Sequence, residues 1–200
     1  LPPKGELDAR MNADIEKLRK LQHADGGFNF WSKTGDSIPY VSVHVTHALA
    51  RAREKGFAVP PKMLDRAGDF LKNIEARSRQ YYGNPIGWTL SAYALYVRDL
   101  LGDRDLKKAR RLVAESKIET LSPETIAWLL PILAEDRESA KTVSEMRRVL
   151  LNRVVETAGR ANFVSGNRDG EYELLSSNRG TDGIVLEALI RTRSATTDDL

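Results

Sequence analysis

Three observations predict an all-α protein. Stretches that are apolar on nearly every side and rich in alanine recur along the chain: VTHALARA (45–52), LSAYALYV (90–97), TIAWLLPI (125–132) and GIVLEALI (183–190). Between them lie charged segments whose apolar residues return every three or four positions, as at Met63, Leu64, Ala67, Phe70, Leu71 and Ile74, which is the period of an amphipathic helix. Glycines and prolines stand where those periodic runs begin and end.

The elements follow in order. A first helix is predicted over about Leu7–Gln22, with Ile15, Leu18, Leu21 and Gln22 near one face and Gly26-Gly27 to stop it. A second spans about Val41–Lys55, ended by Gly56. A third covers 61–76 after Pro60-Pro61, since proline is tolerated in a first turn. A fourth runs over about Trp88–Leu101 to Gly102, and a fifth over about Asp103–Ser116. A sixth follows Ser122-Pro123-Glu124, where serine caps and proline takes the first helical position. A seventh covers about Ser139–Thr157 and an eighth about Thr181–Thr192. Residues 160–178 change character and read as a short β-hairpin insert around the Asn-Arg-Asp-Gly of 167–170.

A helix that is hydrophobic all round is buried. Buried and amphipathic helices alternating at roughly 35 to 60 residues mean stacked helical hairpins. Two stackings are open, a superhelical solenoid or a ring of inner and outer helices, and periodicity does not choose between them.

Composition narrows the chemistry. Of 200 residues, 41% are hydrophobic and 30% charged, ordinary for a globular domain with a sizeable core. Net charge is only +3, and both signs are interspersed on the helices, as from Arg98 to Arg111. Such a run is a solvated face rather than a nucleic-acid footprint, so no nucleic-acid partner is expected. Cysteine is absent, which excludes disulfides, cysteine-ligated metals and a cysteine nucleophile within these residues. No run approaches transmembrane length and no signal peptide is visible. The opening LPPKG and the closing TTDDL read as cuts in a longer protein, so residues 1–200 are expected to be a single domain of a multidomain chain.

The stretch LQHADGGFNFW (21–31) holds the candidate site residues. Gly26 and Gly27 can take backbone conformations closed to other residues. Asp25 can cap local amides, and Gln22 can hydrogen-bond across to the next helix start. Phe28, Phe30 and Trp31 then plug the gap between two hairpins, a structural wedge rather than an exposed sugar- or peptide-binding patch. His44 and His47, spaced i, i+3 with His23 nearby, could share a metal, but zinc would want a further ligand. Packing or exposed histidines are the favoured reading, and no metal or cofactor is expected. The 166–170 stretch lacks the full ligand spacing of a calcium loop, and Asp198-Asp199 lacks the longer acidic run of a terpene-cyclase proton donor.

A glutamine near the end of an outer helix, then Asp-Gly-Gly-aromatic, then an inner helix resembles the motif of the α/α toroids. These include triterpene cyclases, protein prenyltransferases and the thioester domain of the α2-macroglobulin and complement family. Within them the chain is most similar to bacterial α2-macroglobulin-like proteins. The similarity runs from LRKLQHADGGFNFW through VSVHVTHALARAREKGFAV and WTLSAYALYV to FVSGNRDGEYELLSSNRGTDGIVLEAL. The resemblance implies an incomplete α/α toroid with terpenoid-cyclase-like helical hairpins, forming the later part of a thioester domain. It implies a broad-spectrum protease inhibitor, not an enzyme: a protease cuts a bait region, and an internal Cys–Gln thioester is exposed and acylates a protease amine. The Cys-Glu-Gln motif is expected upstream of Leu1, leaving this chain without catalytic residues of its own. Neighbouring domains of the parent and target proteases are the implied partners. The implied location is periplasmic, with membrane contact only through a lipid anchor outside these residues. The alternatives are a non-catalytic helical-repeat scaffold and a terpene-cyclase-like toroid enzyme.

Overall fold

Helix boundaries follow the proline and capping signals of the sequence. The computed structural model describes residues 3–30, 34–157, 159–163 and 178–193. α1 (Lys4–Leu21), α2 (Pro39–Glu54) and α3 (Pro61–Lys72) each start at or next to a proline. α5 (Asn84–Leu100) begins ahead of the predicted Trp88, again with proline in its first turn. Asp105 caps α6 (Leu106–Ser116) by accepting from the Lys108 N–H at 3.0 Å. Ser122 caps α7 (Pro123–Leu133) by accepting from the Thr125 N–H at 3.2 Å. α8 covers Ala140–Leu151 and α9 Asn178–Arg191.

Two predicted helices are cut short. The third ends at Lys72, and a one-turn α4 (Ile74–Ser78) follows. The break falls at Asn73, with φ −104° and ψ 18°, an asparagine whose side chain competes for backbone partners. The seventh was expected to reach Thr157, but α8 stops at Leu151 and the chain turns into β1 (Val154–Thr157). β1 pairs antiparallel with β2 (Arg160–Phe163), with Val154 opposite Phe163 and Thr157 opposite Arg160. β-Branched Val154, Val155 and Thr157 favour an extended strand over a helix, and Gly159 supplies the positive φ of 78° for the reversal. This hairpin is one the sequence reading did not anticipate. The Asn167–Gly170 turn lies outside the described residues.

Named contacts fix the direction of the apolar helices. Residues 44 and 47 of α2 meet Tyr93 of α5, and Arg51 meets Tyr96. Thr89 of α5 bonds Thr125 of α7 at 2.8 Å, and Tyr93 stacks on Trp128 with ring centroids 4.2 Å apart. Glu124 near the start of α7 meets Thr181 near the start of α9. Ascending numbers thus pair with ascending numbers, so α2, α5, α7 and α9 run parallel. The amphipathic α3, α6 and α8 return the chain between them. Every residue of α7 is buried, so its neighbours enclose it on all sides. The main core combines α4 to α9 with Val43 of α2 and Phe70 and Leu71 of α3, and a second cluster joins α1, α2 and α3 around Phe28.

One contact settles which way the hairpins stack. Arg51 of α2 forms an ion pair with Glu187 of α9 across a sequence separation of 136, and the Tyr96 hydroxyl donates to the same carboxylate at 2.7 Å. In a solenoid each repeat touches only its neighbours. Here α2 and α9 meet, as in the α/α toroid. The expectation that all four apolar helices are buried all round fails at α9, where Leu186 and Ile190 are 57% and 64% exposed. They stand one turn apart on a face that nothing else among the described residues covers.

Lys117, between α6 and the short turn at Ile118–Thr120, has φ 61° and ψ 128°. Side chains are strained there, while its N–H bond to the Val113 carbonyl needs only backbone. Lys117→Gly is expected to stabilise the protein by about 1 kcal/mol, raising Tm by about 2–4 °C in a chain of this size. Thermal unfolding followed by circular dichroism checks it, and a lower Tm would mean the strain is absent.

Candidate functional site

The corner after α1 is built by backbone shape and one buried amide. Gln22 is buried, and its Nε2 donates to the Gly26 carbonyl at 3.0 Å and to the Met63 carbonyl at 2.9 Å. The second partner lies in the first turn of α3. The sequence reading sent this bond to the next helix, α2; instead it ties α1 to the outer helix beyond. Gly26 has φ 90°, and a Cβ there would sit 2.1 Å from the Arg66 carbonyl oxygen. Only glycine lets the two backbones approach so closely. A Cβ on Gly27 would meet Phe70 and Ser37 at 2.6 Å.

Asp25 ties the corner to two further elements. Its Oδ1 accepts from the Gly27 N–H at 3.0 Å and from the Ser37 hydroxyl at 2.7 Å, and its Oδ2 accepts from Arg77 at 2.8 Å. Burial works against the carboxylate, but the hydrogen bonds from Ser37 and Gly27 and the Arg77 charge outweigh it and hold the pKa below the usual aspartate value.

Of the three aromatics, Phe28 is fully buried, with its N–H donating to the Ser42 hydroxyl at 2.8 Å. Phe30 is not part of the wedge: it is 51% exposed. Asn29 is the reason. Its Oδ1 accepts from the Phe30 N–H at 2.7 Å and its Nδ2 donates to the Asp36 carbonyl at 3.1 Å, which turns the chain outward after Phe28. Trp31 lies outside the described residues.

His44 and His47 sit on α2 facing α5. The Arg51 guanidinium, always protonated, donates to His47 Nε2 at 3.2 Å. That nitrogen must carry a lone pair, so the proton of the neutral ring is on Nδ1, which donates to the Tyr93 hydroxyl at 2.9 Å. Tyr93 in turn donates to His44 Nδ1 at 3.3 Å. The two histidines are thus joined through a buried phenol rather than through a metal. Among the described residues no cluster of three or more histidines and carboxylates could hold one. Burial, with the Arg51 and His44 charges, lowers the His47 pKa to about 4. Burial likewise raises that of Tyr93.

The chain of bonds ends in a charged knot. Arg51 also donates to the Tyr96 hydroxyl at 2.8 Å, and Arg191 of α9 donates to the same oxygen at 3.1 Å while lying over the Tyr96 ring. Sequence reasoning missed Arg51, Tyr93, Tyr96, Glu187 and Arg191. The faint signals were the i, i+4 spacing of His47 and Arg51 and two tyrosines one turn apart on an otherwise apolar helix. The assembly is a set of ordered donors and acceptors that ties α2 to α5 and α9.

The fold and its joints define the class: an all-α, toroid-like domain whose polar residues brace helices. No family model matches the chain. It is 32% identical to the α2-macroglobulin of Escherichia coli K12 over 72 residues, 34% of this chain and 4% of that protein. It is 30% identical to the α2-macroglobulin of Rickettsia conorii over 92 residues, 46% of this chain and 5% of that protein. The native E. coli α2-macroglobulin structure spanning domain MG7 to the C-terminus superposes at TM-score 0.73 and 18% identity, covering 94% of this chain and 29% of that one. The trypsin-activated form superposes at 0.62 and 19% identity, over 72% of this chain and 10% of that one. The homologues of this chain are thus bacterial α2-macroglobulins, and its fold is that of a domain in their C-terminal region. The chain spans only about one-twentieth of those relatives' own lengths.

Gln22→Ala is expected to cost about 3 kcal/mol, because it leaves two carbonyls without their buried donor; a shift of the urea midpoint to lower concentration reports it. The unfolded His47 ring titrates near 6.5 and the folded one near 4. The unfolded state therefore binds more protons in that window, and the contribution of His47 to stability is full above about pH 6.5 and lost as pH falls to 4. At about 1.4 kcal/mol per unit the loss is at most about 3 kcal/mol. Stability measured between pH 7 and 4 should show that slope in the wild type and a flatter one in His47→Gln.

Proposed function

We propose that these 200 residues are the later part of the thioester domain of a bacterial α2-macroglobulin-like protein, a broad-spectrum protease trap and not an enzyme. The observation that carries this reading is the superposition of nearly the whole chain on the region of such a protein that runs from domain MG7 to the C-terminus, in step with the sequence similarity. The exposed Leu186–Ile190 face of α9 supports a ring continued by helices beyond these residues. The sequence contains no cysteine, so the thioester sulfur, where the parent carries one, belongs to a residue outside them.

In this reading the chemistry is one acyl transfer. A neutral lysine amine of the protease attacks the thioester carbonyl, an amide bond forms, the C–S bond breaks, and the proton given up by the amine passes to the departing sulfur, which leaves as the cysteine thiol. The present residues contribute the frame. The Gln22 corner fixes α1 against α3, the parallel inner helices fix one another, and the Arg51–Glu187 bridge spans from α2 to α9. Neighbouring domains of the parent are the direct partners, and proteases are reached through the whole protein. A periplasmic site with a lipid anchor elsewhere in the chain fits a defence role against foreign proteases.

The test uses the full-length protein incubated with trypsin, with and without methylamine pretreatment. Trypsin-containing adducts that survive boiling in detergent, and that vanish after methylamine, are expected. Cleavage without any adduct, and no methylamine mass gain on an intact cysteine-containing peptide, would leave a scaffold without covalent chemistry and sink the covalent trap.

A further inference from the structure

The bridge between α2 and α9 runs through one guanidinium. Arg51 Nη2 donates to the Glu187 carboxylate of α9 and, at 2.8 Å, to the Tyr96 hydroxyl of α5. Its Nη1 donates to Glu54 on the same helix at 2.8 Å. Its Nε donates to His47 Nε2 at 3.2 Å. A guanidinium is planar and its donors are fixed relative to one another, so the bond at Nε sets where Nη2 points.

His47 is wedged against α5. The rings of Tyr93 and Tyr96 both meet it edge-on, with centroids 5.5 Å away. Its Nδ1–H donates to the Tyr93 hydroxyl at 2.9 Å, which leaves Nε2 to accept, and the donor it accepts from is a cation. A proton added to Nε2 sets two positively charged N–H groups face to face, and neither can accept. Arginine does not give up its proton in proteins. The two tyrosines hold the imidazole in place, so Arg51 is the partner that swings away, and Nη2 leaves Glu187 with it.

The surroundings do not cancel that repulsion. Among the described residues, the titratable and charged groups around His47 are His44, Arg51 and Glu54 of α2, Tyr93 and Tyr96 of α5, and Glu187 and Arg191 of α9. His44 and Arg191 oppose a charge on the ring, as Arg51 does, while Glu54 favours it less strongly, and burial opposes it most. The Glu187 carboxylate is already shared by Arg51 and Tyr96. An amide at position 47 would accept from Arg51 at any pH. Histidine is an acceptor that acid switches off.

We propose that His47 is an acid-operated latch: by taking up a proton at Nε2 it releases Arg51 from Glu187 and opens the seam between α2 and α9, while α7 stays buried. The remaining ties of α9 through Arg191, to the Tyr96 hydroxyl and to Asp99, lead to α5 rather than to α2. The proposal stands on this seam alone and does not depend on protease trapping.

The test is hydrogen exchange of the full-length protein at pH 7 and pH 4, read by mass spectrometry as protection factors, which correct for slower exchange chemistry in acid. Peptides covering 183–192 of α9 should lose protection by up to about a hundredfold, the ratio set by a ring that titrates near 4 when latched and near 6.5 when free. Peptides covering 123–133 of α7 should keep theirs. His47→Gln should abolish the loss, because its amide accepts from Arg51 at both pH values. Arg51→Met removes the bridge outright, so α9 should already be poorly protected at pH 7 and lose little more at pH 4. Equal protection of α9 at both pH values in the wild type would overturn the latch. A loss that persists in His47→Gln would put the switch on His44 or Glu187 and overturn it as well. A loss shared by α7 would be global unfolding, and the seam would not open on its own.

Discussion

Burying α7 from every side is the constraint to which the rest of the structure answers. Its 11 residues, PETIAWLLPIL, offer no face to water, and a helix of that kind exists only inside other helices. α5 and α9 flank it and run parallel to it; α6 and α8 cover it from outside. The parallel inner layer in turn dictates the amphipathic outer helices, because each must carry the chain back. Deleting any one hairpin would leave some of Leu129, Leu130, Ile132 and Leu133 in water, at roughly 1.5–3 kcal/mol for each fully exposed side chain.

Side chains complete what backbone packing leaves unfinished. Gln22 bonds to backbone carbonyls in the corner and in α3, elements brought together by the close contact of Gly26 with Arg66. At the other extreme of the chain, Arg51, Tyr96, Glu187 and Arg191 hold α9 against α2 and α5. A stiff frame of this sort suits a domain whose proposed task is to hold a reactive bond in place until the surrounding molecule changes shape.

Much of this was legible in the sequence because it is local. Ser122 and Pro123 marked the start of α7, the prolines at 60–61 that of α3, and alanine-rich apolar runs marked the inner helices. The errors have physical reasons of the same scale. Asn73 splits a run whose apolar spacing continues smoothly through Ile74. Val154, Val155 and Thr157 prefer the extended chain once a partner strand is available. Phe30 follows an asparagine whose side-chain bonds redirect the backbone. Long-range polar contacts left almost no trace: nothing in the neighbourhood of Arg51 announces Glu187.

The parallel inner layer has an electrical consequence. Each helix carries about half a positive charge at its N-terminus and half a negative charge at its C-terminus, and parallel helices add these rather than cancel them. The C-terminal turns of α2, α5 and α9 hold Arg51, Arg53, Arg98 and Arg191, while that of α7 holds no basic residue. The first turns of α2, α5 and α9 hold no acidic residue, and only α7 brings Glu124. The N-terminal half-charges of α2, α5 and α9 thus lie at one end with no acidic residue in their first turns, an asymmetry that charge counting along the sequence does not reveal.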